Sequence, residues 1–167
     1  MTTEDTGRDT TIALAKPPRN DVAAAILVDE TGRYLLQLRD DFAGLPMAGH
    51  WGCFGGALEV GETPEQAMRR ELAEELAWEA REMYPLAVGA FAVWPGTPVL
   101  RKHFFVVPVR AEEVSAMVLG EGAALGLHTI AEACALERVV PWDLLGLMAH
   151  ARHRQYWPDR PVPDWLK

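Results

Sequence analysis

The segment from Gly56 to Trp78 constrains this chain more than any other, because a helix start, an apolar stripe and a run of glutamates follow one another without interruption. Thr63 is an N-cap residue, Pro64 suits the first helical position and Gln66 completes a capping box, so a helix opens at Pro64. Met68, Leu72 and Leu76 recur at helical spacing and form a face that calls for burial. Glu71, Glu74 and Glu75 stand at i, i+3 and i+4, which places them on the adjoining face within about one turn. Like charges so placed destabilise an isolated helix by roughly a few tenths of a kcal/mol per pair. A solvated acidic face would ordinarily intersperse lysines. A hard divalent cation, which prefers carboxylate and carbonyl oxygens, would turn the repulsion into attraction.

Charge is concentrated in the same place. The 167 residues carry a net charge of −8, and between Glu59 and Glu82 there are eight glutamates against three arginines, so more than half of the surplus lies in one short segment. An acidic chain without a basic stripe excludes broad nucleic-acid binding, which needs cations against phosphates. With 49% hydrophobic and 24% charged residues, one buried core is expected. No stretch approaches the ~20 apolar residues that span a membrane. Cys53 and Cys134 are too few for a disulfide framework, which fits a reducing cytoplasm.

Along the chain, residues 1–20 mix Thr, Asp, Glu and Arg, end near Pro17-Pro18 and read as a flexible tail; residues 21–156 read as the folded domain. Val22 to Asp29 and Arg33 to Arg39 alternate as strands about a turn at Asp29-Glu30-Thr31-Gly32. A glycine-rich stretch from Gly44 to Gly61 leads to the helix. Beyond it, Leu86 to Trp94 and Lys102 to Arg110 read as strands, Glu112 to Met117 fits either state, and Ile130 to Leu136 and Trp142 to Arg154 read as helices. Residues 157–167, with three prolines and two tryptophans, read as an extended tail laid over the surface. Strands and helices mix without a regular βαβ alternation, so the expected class is an α/β sandwich with a mixed sheet.

From Gly56, five residues lead to Glu62, seven more to Arg70-Glu71-Leu72, one to Glu74-Glu75, and the segment closes on Leu76-Ala77-Trp78. This resembles the Nudix box, the signature of the Nudix hydrolase family, at every defined position except Ala77, where the family has glycine. A glycine there lets a helix end in the left-handed conformation, so its absence leads us to expect a helix that is either longer, since Trp78 to Met83 could continue it, or differently ended. Phe54 stands where the family commonly has proline, while the pair Gly55-Gly56 is kept. The resemblance implies an α/β/α sandwich, Mg²⁺ as cofactor with Mn²⁺ as an alternative, and hydrolysis of a diphosphate bond in a nucleoside diphosphate linked to another moiety. Carried over residue by residue, it makes Glu71, Glu74, Glu75 and the Gly56 carbonyl the metal ligands. Arg70 becomes an ion-pair partner steadying the helix face, and Glu62 a buttress of the loop. Glu74, Glu75 or, downstream in a glycine-flanked loop, Glu121 would take the proton from the attacking water.

Other residues carry weaker signals. Arg39 at a strand end could meet phosphate, and Trp51, Phe54, Phe91 and Trp94 could stack on a base, although aromatics near glycine loops are more often core. His150 and His153 lack a third ligand nearby, and His103 reads as structural. Rival readings are a nucleoside triphosphate pyrophosphohydrolase of the nucleotide-sanitising kind, a non-catalytic nucleotide sensor, which would usually lose box carboxylates, and an isomerase branch that needs a particular cysteine. The expected partner is a small nucleotide, with no membrane and no nucleic acid; a homodimer is left open.

Overall fold

The computed structural model describes residues 20–92 and 96–156. The expectations for the two tails and for Trp94 fall outside them. In chain order the elements are β1 (Asn20–Val28), β2 (Tyr34–Leu38), β3 (Trp51–Gly52), α1 (Pro64–Leu76), β4 (Tyr84–Phe91), β5 (Leu100–Pro108), α2 (Ala111–Ala116), β6 (Ala124–His128), α3 (Ile130–Ala135) and α4 (Pro141–Tyr156). All six strands join one sheet. β1 and β5 run parallel along nine paired positions, and every other pairing is antiparallel, so the sheet is mixed as expected.

The alternation of β1 separates two cores. Ala23, Ala25 and Leu27 point to one face, where Ala67, Met68, Leu72 and Leu76 of α1 cover them. Ala24, Ile26 and Val28 point to the other, against Ala133 of α3 and Leu147 of α4. Period two on the strand and period 3.6 on the helix thus build a three-layer α/β/α sandwich. The short alanines of β1 let α1 approach closely.

The β1–β2 turn forms as the sequence reads. Asp29 Oδ1 accepts from the Thr31 and Arg33 amides at 3.0 and 2.8 Å, and Gly32 takes φ 87°. Thr63 caps α1 with the capping box complete. Four readings shift. β4 (Tyr84–Phe91) and β5 (Leu100–Pro108) both begin and end two or three residues earlier than expected, with an irregular register between Pro85 and Ala87. The ambiguous Glu112 to Met117 segment is mostly the short helix α2. β3 and β6 were not anticipated, because β3 is two residues long and β6, Ala-Leu-Gly-Leu-His, has no β-branched residue.

The fourth shift is the end of α1. The helix does not run on to Met83; it stops at Leu76, and Ala77 adopts the left-handed conformation, φ 48° and ψ 36°. Its amide donates to the Ala73 carbonyl at 3.1 Å, and the Val118 and Gly120 amides take the carbonyls of Leu76 and Glu75 at 3.0 and 2.8 Å. Tertiary hydrogen bonds and the packing of Trp78 and Ala80 into the core therefore impose the stop that glycine would give locally. A left-handed alanine costs about 1–2 kcal/mol, partly offset by the smaller entropy loss of alanine on folding. Ala77→Gly should therefore raise stability by about 0.5–1 kcal/mol in denaturant melts. A loss of stability would mean that the helix does not end as described.

Candidate active site

β1 and β2 pair at only two positions, Leu27 with Leu35 and Val28 with Tyr34, and then part. The chain leaving β3 enters the gap and runs antiparallel beside β1, the Ala25 amide donating to the Phe54 carbonyl and the Ala23 amide to the Gly56 carbonyl, both at 2.9 Å. The approach to backbone is close enough to require glycine at position 55. A Cβ on Gly55, which takes φ 128°, would lie 2.2 Å from the Ala23 carbonyl oxygen, and one on Gly56 would lie 2.5 Å from Glu71 Oε1. The loop start is held from the opposite layer by a buried ion pair between Lys102 and Asp143, whose Oδ2 also accepts from the Cys53 amide at 2.9 Å.

Against this loop α1 sets its carboxylates. Glu75 is 6% exposed and accepts from the Gly55 amide at 2.8 Å and from Gln37 Nε2 at 3.3 Å. Burial pushes its carboxyl up to about 7, opposed by those two hydrogen bonds and assisted by the charges of Glu71 and Glu121. Glu71 is also raised by burial, opposed by Arg70. Arg70 forks onto Glu62 at 2.9 and 3.1 Å, reaches Glu71 at 2.8 Å and Glu74 at 3.1 Å, and donates to the Ala57 carbonyl at 3.0 Å. Hydrogen bonds from Arg70 and from the Glu59 amide hold Glu62 below its usual range. One guanidinium thus ties helix to loop and balances three carboxylates.

Glu121 joins the group from outside the helix. The Gly120 amide bonds to the Glu75 carbonyl, a Cβ on Gly120 would lie 2.5 Å from the Glu74 carbonyl oxygen, and the Gly122 amide donates to Asp40 Oδ2 at 3.2 Å. The loop is therefore docked on the helix end. Glu75 and Glu121 line a recess of about 400 Å³ together with Gln37, Arg39 and Phe42. Arg39 also borders a neighbouring recess of about 240 Å³, with Gly55, Gly56, Lys102, Trp142 and Asp143.

Most sequence candidates converge here; Phe54 does not. It is wholly buried in the core beneath the sheet, because pairing beside Ala25 directs its ring to the α1 face, and it is withdrawn as a substrate contact. Trp51 is half-buried and edge-on to His128 at 4.9 Å, and Phe91 packs near Trp142 at 6.2 Å. His150 is buried with its Nδ1 3.0 Å from the Tyr34 hydroxyl, which accounts for it without a metal. Burial pushes the Cys53 thiol well up, away from nucleophile chemistry. The sequence reading missed Gln37, the Gly55 amide and the Lys102–Asp143 pair. A polar side chain at an inward position of β2 or β5 was the available signal for Gln37 and Lys102; a backbone amide leaves none.

Oxygen donors around a half-buried recess suit Mg²⁺ or Mn²⁺. Among the described residues no three acidic, imidazole or thiol groups already surround one point. Arg70 takes one oxygen of Glu71 and one of Glu74, and the Gly56 carbonyl has one lone pair committed to Ala23, so each of the three keeps acceptor capacity for a cation.

The profile of the NUDIX domain matches residues 18–161, and the chain belongs to that family. Among curated proteins it is 36% identical over 80 residues to an oxidized purine nucleoside triphosphate hydrolase of Danio rerio, covering 48% of this chain and 49% of that protein. It is 43% identical over 51 residues to the nucleoside triphosphatase NudI of Enterobacter sp. (strain 638), covering 30% of this chain and 35% of NudI. The matches thus span half or less of these relatives. Among solved structures, the E. coli ORF135 protein aligns with TM-score 0.71 and 28% identity over 88% of this chain and 99% of its own. A MutT NUDIX hydrolase from Burkholderia pseudomallei shares the fold, with TM-score 0.67 and 21% identity over 79% of this chain and 98% of its own. No helix among the described residues is long and apolar enough to cross a membrane.

The raised Glu75 carboxyl has a consequence for stability. Its folded value of about 7 exceeds the ordinary 4.5, so the folded state binds the proton more tightly. The associated stability is fully present below about 4.5 and is lost as pH rises through about 7, a change of as much as about 3 kcal/mol in metal-free protein. Glu75→Gln should remove that component, so the wild-type minus variant stability difference should fall between pH 4.5 and 7.5 in chelator. A difference independent of pH would contradict the burial of this carboxyl.

Proposed function

We propose that this protein hydrolyses a diphosphate bond in a nucleotide, dependent on Mg²⁺ or Mn²⁺, with a nucleoside triphosphate as the favoured substrate. The observation that carries the reading is the assembly of Glu71, Glu74, Glu75 and Glu121 around the glycine loop, in a chain of the NUDIX family. The printed activities of the two curated relatives favour the triphosphate over a nucleotide sugar or an ADP-ribose-like compound. All of these share the bond to be broken.

In this reading Glu71, Glu74, Glu75 and the Gly56 carbonyl would hold the cation, which when bound would supply charge neutralisation at the diphosphate and acidify a water. Arg70 and Glu62 fix the loop against the helix. Arg39, at the junction of the two recesses, orients phosphate oxygens through its guanidinium. Glu121, exposed and outside the helix, accepts the proton from water, with Glu74 and Glu75 as the alternatives. The sensor reading is disfavoured because the box carboxylates are all present.

A hydrolysis screen with Mg²⁺ over nucleoside triphosphates, nucleotide sugars, ADP-ribose and dinucleoside polyphosphates, with products identified, tests the proposal. A nucleoside monophosphate should be released, fastest from a triphosphate. Glu75→Gln should lower kcat at saturating Mg²⁺ by roughly a hundredfold or more, about 2.7 kcal/mol of transition-state stabilisation. Unchanged turnover in the variant would refute the role given to Glu75, and no hydrolysis of any member by wild type would refute the reaction class.

A further inference from the structure

A cavity larger than the glutamate recess lies away from it. It lies at the other end of the sheet, where the parallel strands β1 and β5 terminate at Val28 and Pro108, and measures about 490 Å³. Val28, Val106, Val109 and Trp78 supply its apolar lining, drawn from both faces of the sheet at the strand ends. Three arginines from separate segments line it: Arg81 after α1, Arg110 before α2 and Arg154 on α4.

Four acids share the rim, and three of them are already partnered, Glu113 by Arg81 and the Arg110 amide of the same cavity. Asp29 is held by Arg33 at 2.9 Å and by the Thr31 hydroxyl at 2.7 Å. Glu113 meets Arg81 at 3.3 Å and accepts from the Arg110 amide at 2.9 Å, while Glu82 accepts from the Tyr84 hydroxyl at 2.5 Å. The fourth, Glu30, is exposed. Arg110 makes one long contact, 3.8 Å to Glu112. Arg154 has no carboxylate within salt-bridge distance among the described residues, although it is half-buried. Its guanidinium is seated by shape: a Cβ on Gly32 would lie 2.7 Å from Nη1. Behind it stands the buried Tyr34–His150 pair, which offers no negative charge; burial and the neighbouring guanidinium hold His150 down to about 4. A partly desolvated guanidinium at the mouth of an apolar-lined cavity gains most from an anion that presents two oxygens to its fork.

We propose that this cavity is a second ligand site, separate from the glutamate recess, for a small phosphate monoester with a flat or apolar body. The phosphate is received by Arg154 with Arg110 opposite, and the body lies along Trp78 and the valines. A nucleoside monophosphate belongs to this class and fits the volume. The site does not depend on the reaction proposed above.

The test is calorimetric titration with AMP, adenosine and inorganic phosphate in EDTA, on the full chain and on Arg154→Gln, Arg110→Gln and Glu75→Gln. Saturable AMP binding is expected, tighter by tenfold or more than either adenosine or phosphate alone. Arg154→Gln should weaken it at least tenfold and the exposed Arg110→Gln severalfold, with melting temperatures checked alongside. Glu75→Gln should leave it within twofold. Absence of saturable binding, loss of binding in Glu75→Gln with retention in Arg154→Gln, or phosphate alone binding as tightly as AMP would each overturn the proposal.

Discussion

The hydrogen bond from the Gly55 amide to the buried carboxylate of Glu75 is the contact on which the arrangement turns. It joins the helix layer to the sheet at the point where β1 and β2 part. The sheet must open for the glycine chain to enter, and Gly55 must lack a side chain for the chain to lie against the Ala23 carbonyl, while Gly56 leaves room for the Glu71 carboxylate. A carboxylate buried at this junction is unfavourable by itself, which is why its proton affinity rises. A cation beside it would reverse that preference, so the feature that weakens the metal-free fold is the one that suits metal binding.

The site is supported from three directions. Arg70 draws Glu62 and the loop onto α1, the Gly120 to Gly122 loop closes on the helix end, and Asp143 with Lys102 holds the Cys53 amide from the far layer. These supports come from segments far apart in the chain. Breaking the buried Lys102–Asp143 pair by removing one partner would leave a charge uncompensated. The same long-range hydrogen bonding explains Ala77: the carbonyls of Glu75 and Leu76 are satisfied from Gly120 and Val118, so the helix ends in place without the glycine.

Much of this was legible in the sequence, for identifiable reasons. The α1 cap, its apolar stripe and its three glutamates are local patterns, and they form as read. The α/β sandwich with a mixed sheet followed from alternating and helical periodicities, and its α/β/α layering from the resemblance; the two cores reproduce both. Glu121 was reached only through resemblance, and its proximity to Glu75 depends on a contact between residues 75 and 120 that no local pattern encodes. Of the two readings of Phe54, stacking surface or core, the structure gives the core, because pairing with Ala25 across the sheet gap sets its environment. The edges of β4 and the existence of β6 were obscured by weak local preference overridden by pairing, as at Gly126 within a five-residue strand. The left-handed Ala77 was unreadable for the same cause: its stabilising partners lie forty residues downstream.

The central claim is that α1 and the glycine loop together form one cation site. A crystal soaked in Mn²⁺ and measured for anomalous scattering tests it directly. The account predicts a peak bounded by Glu71, Glu74, Glu75 and the Gly56 carbonyl. Anomalous density elsewhere, with none beside these residues, would contradict it.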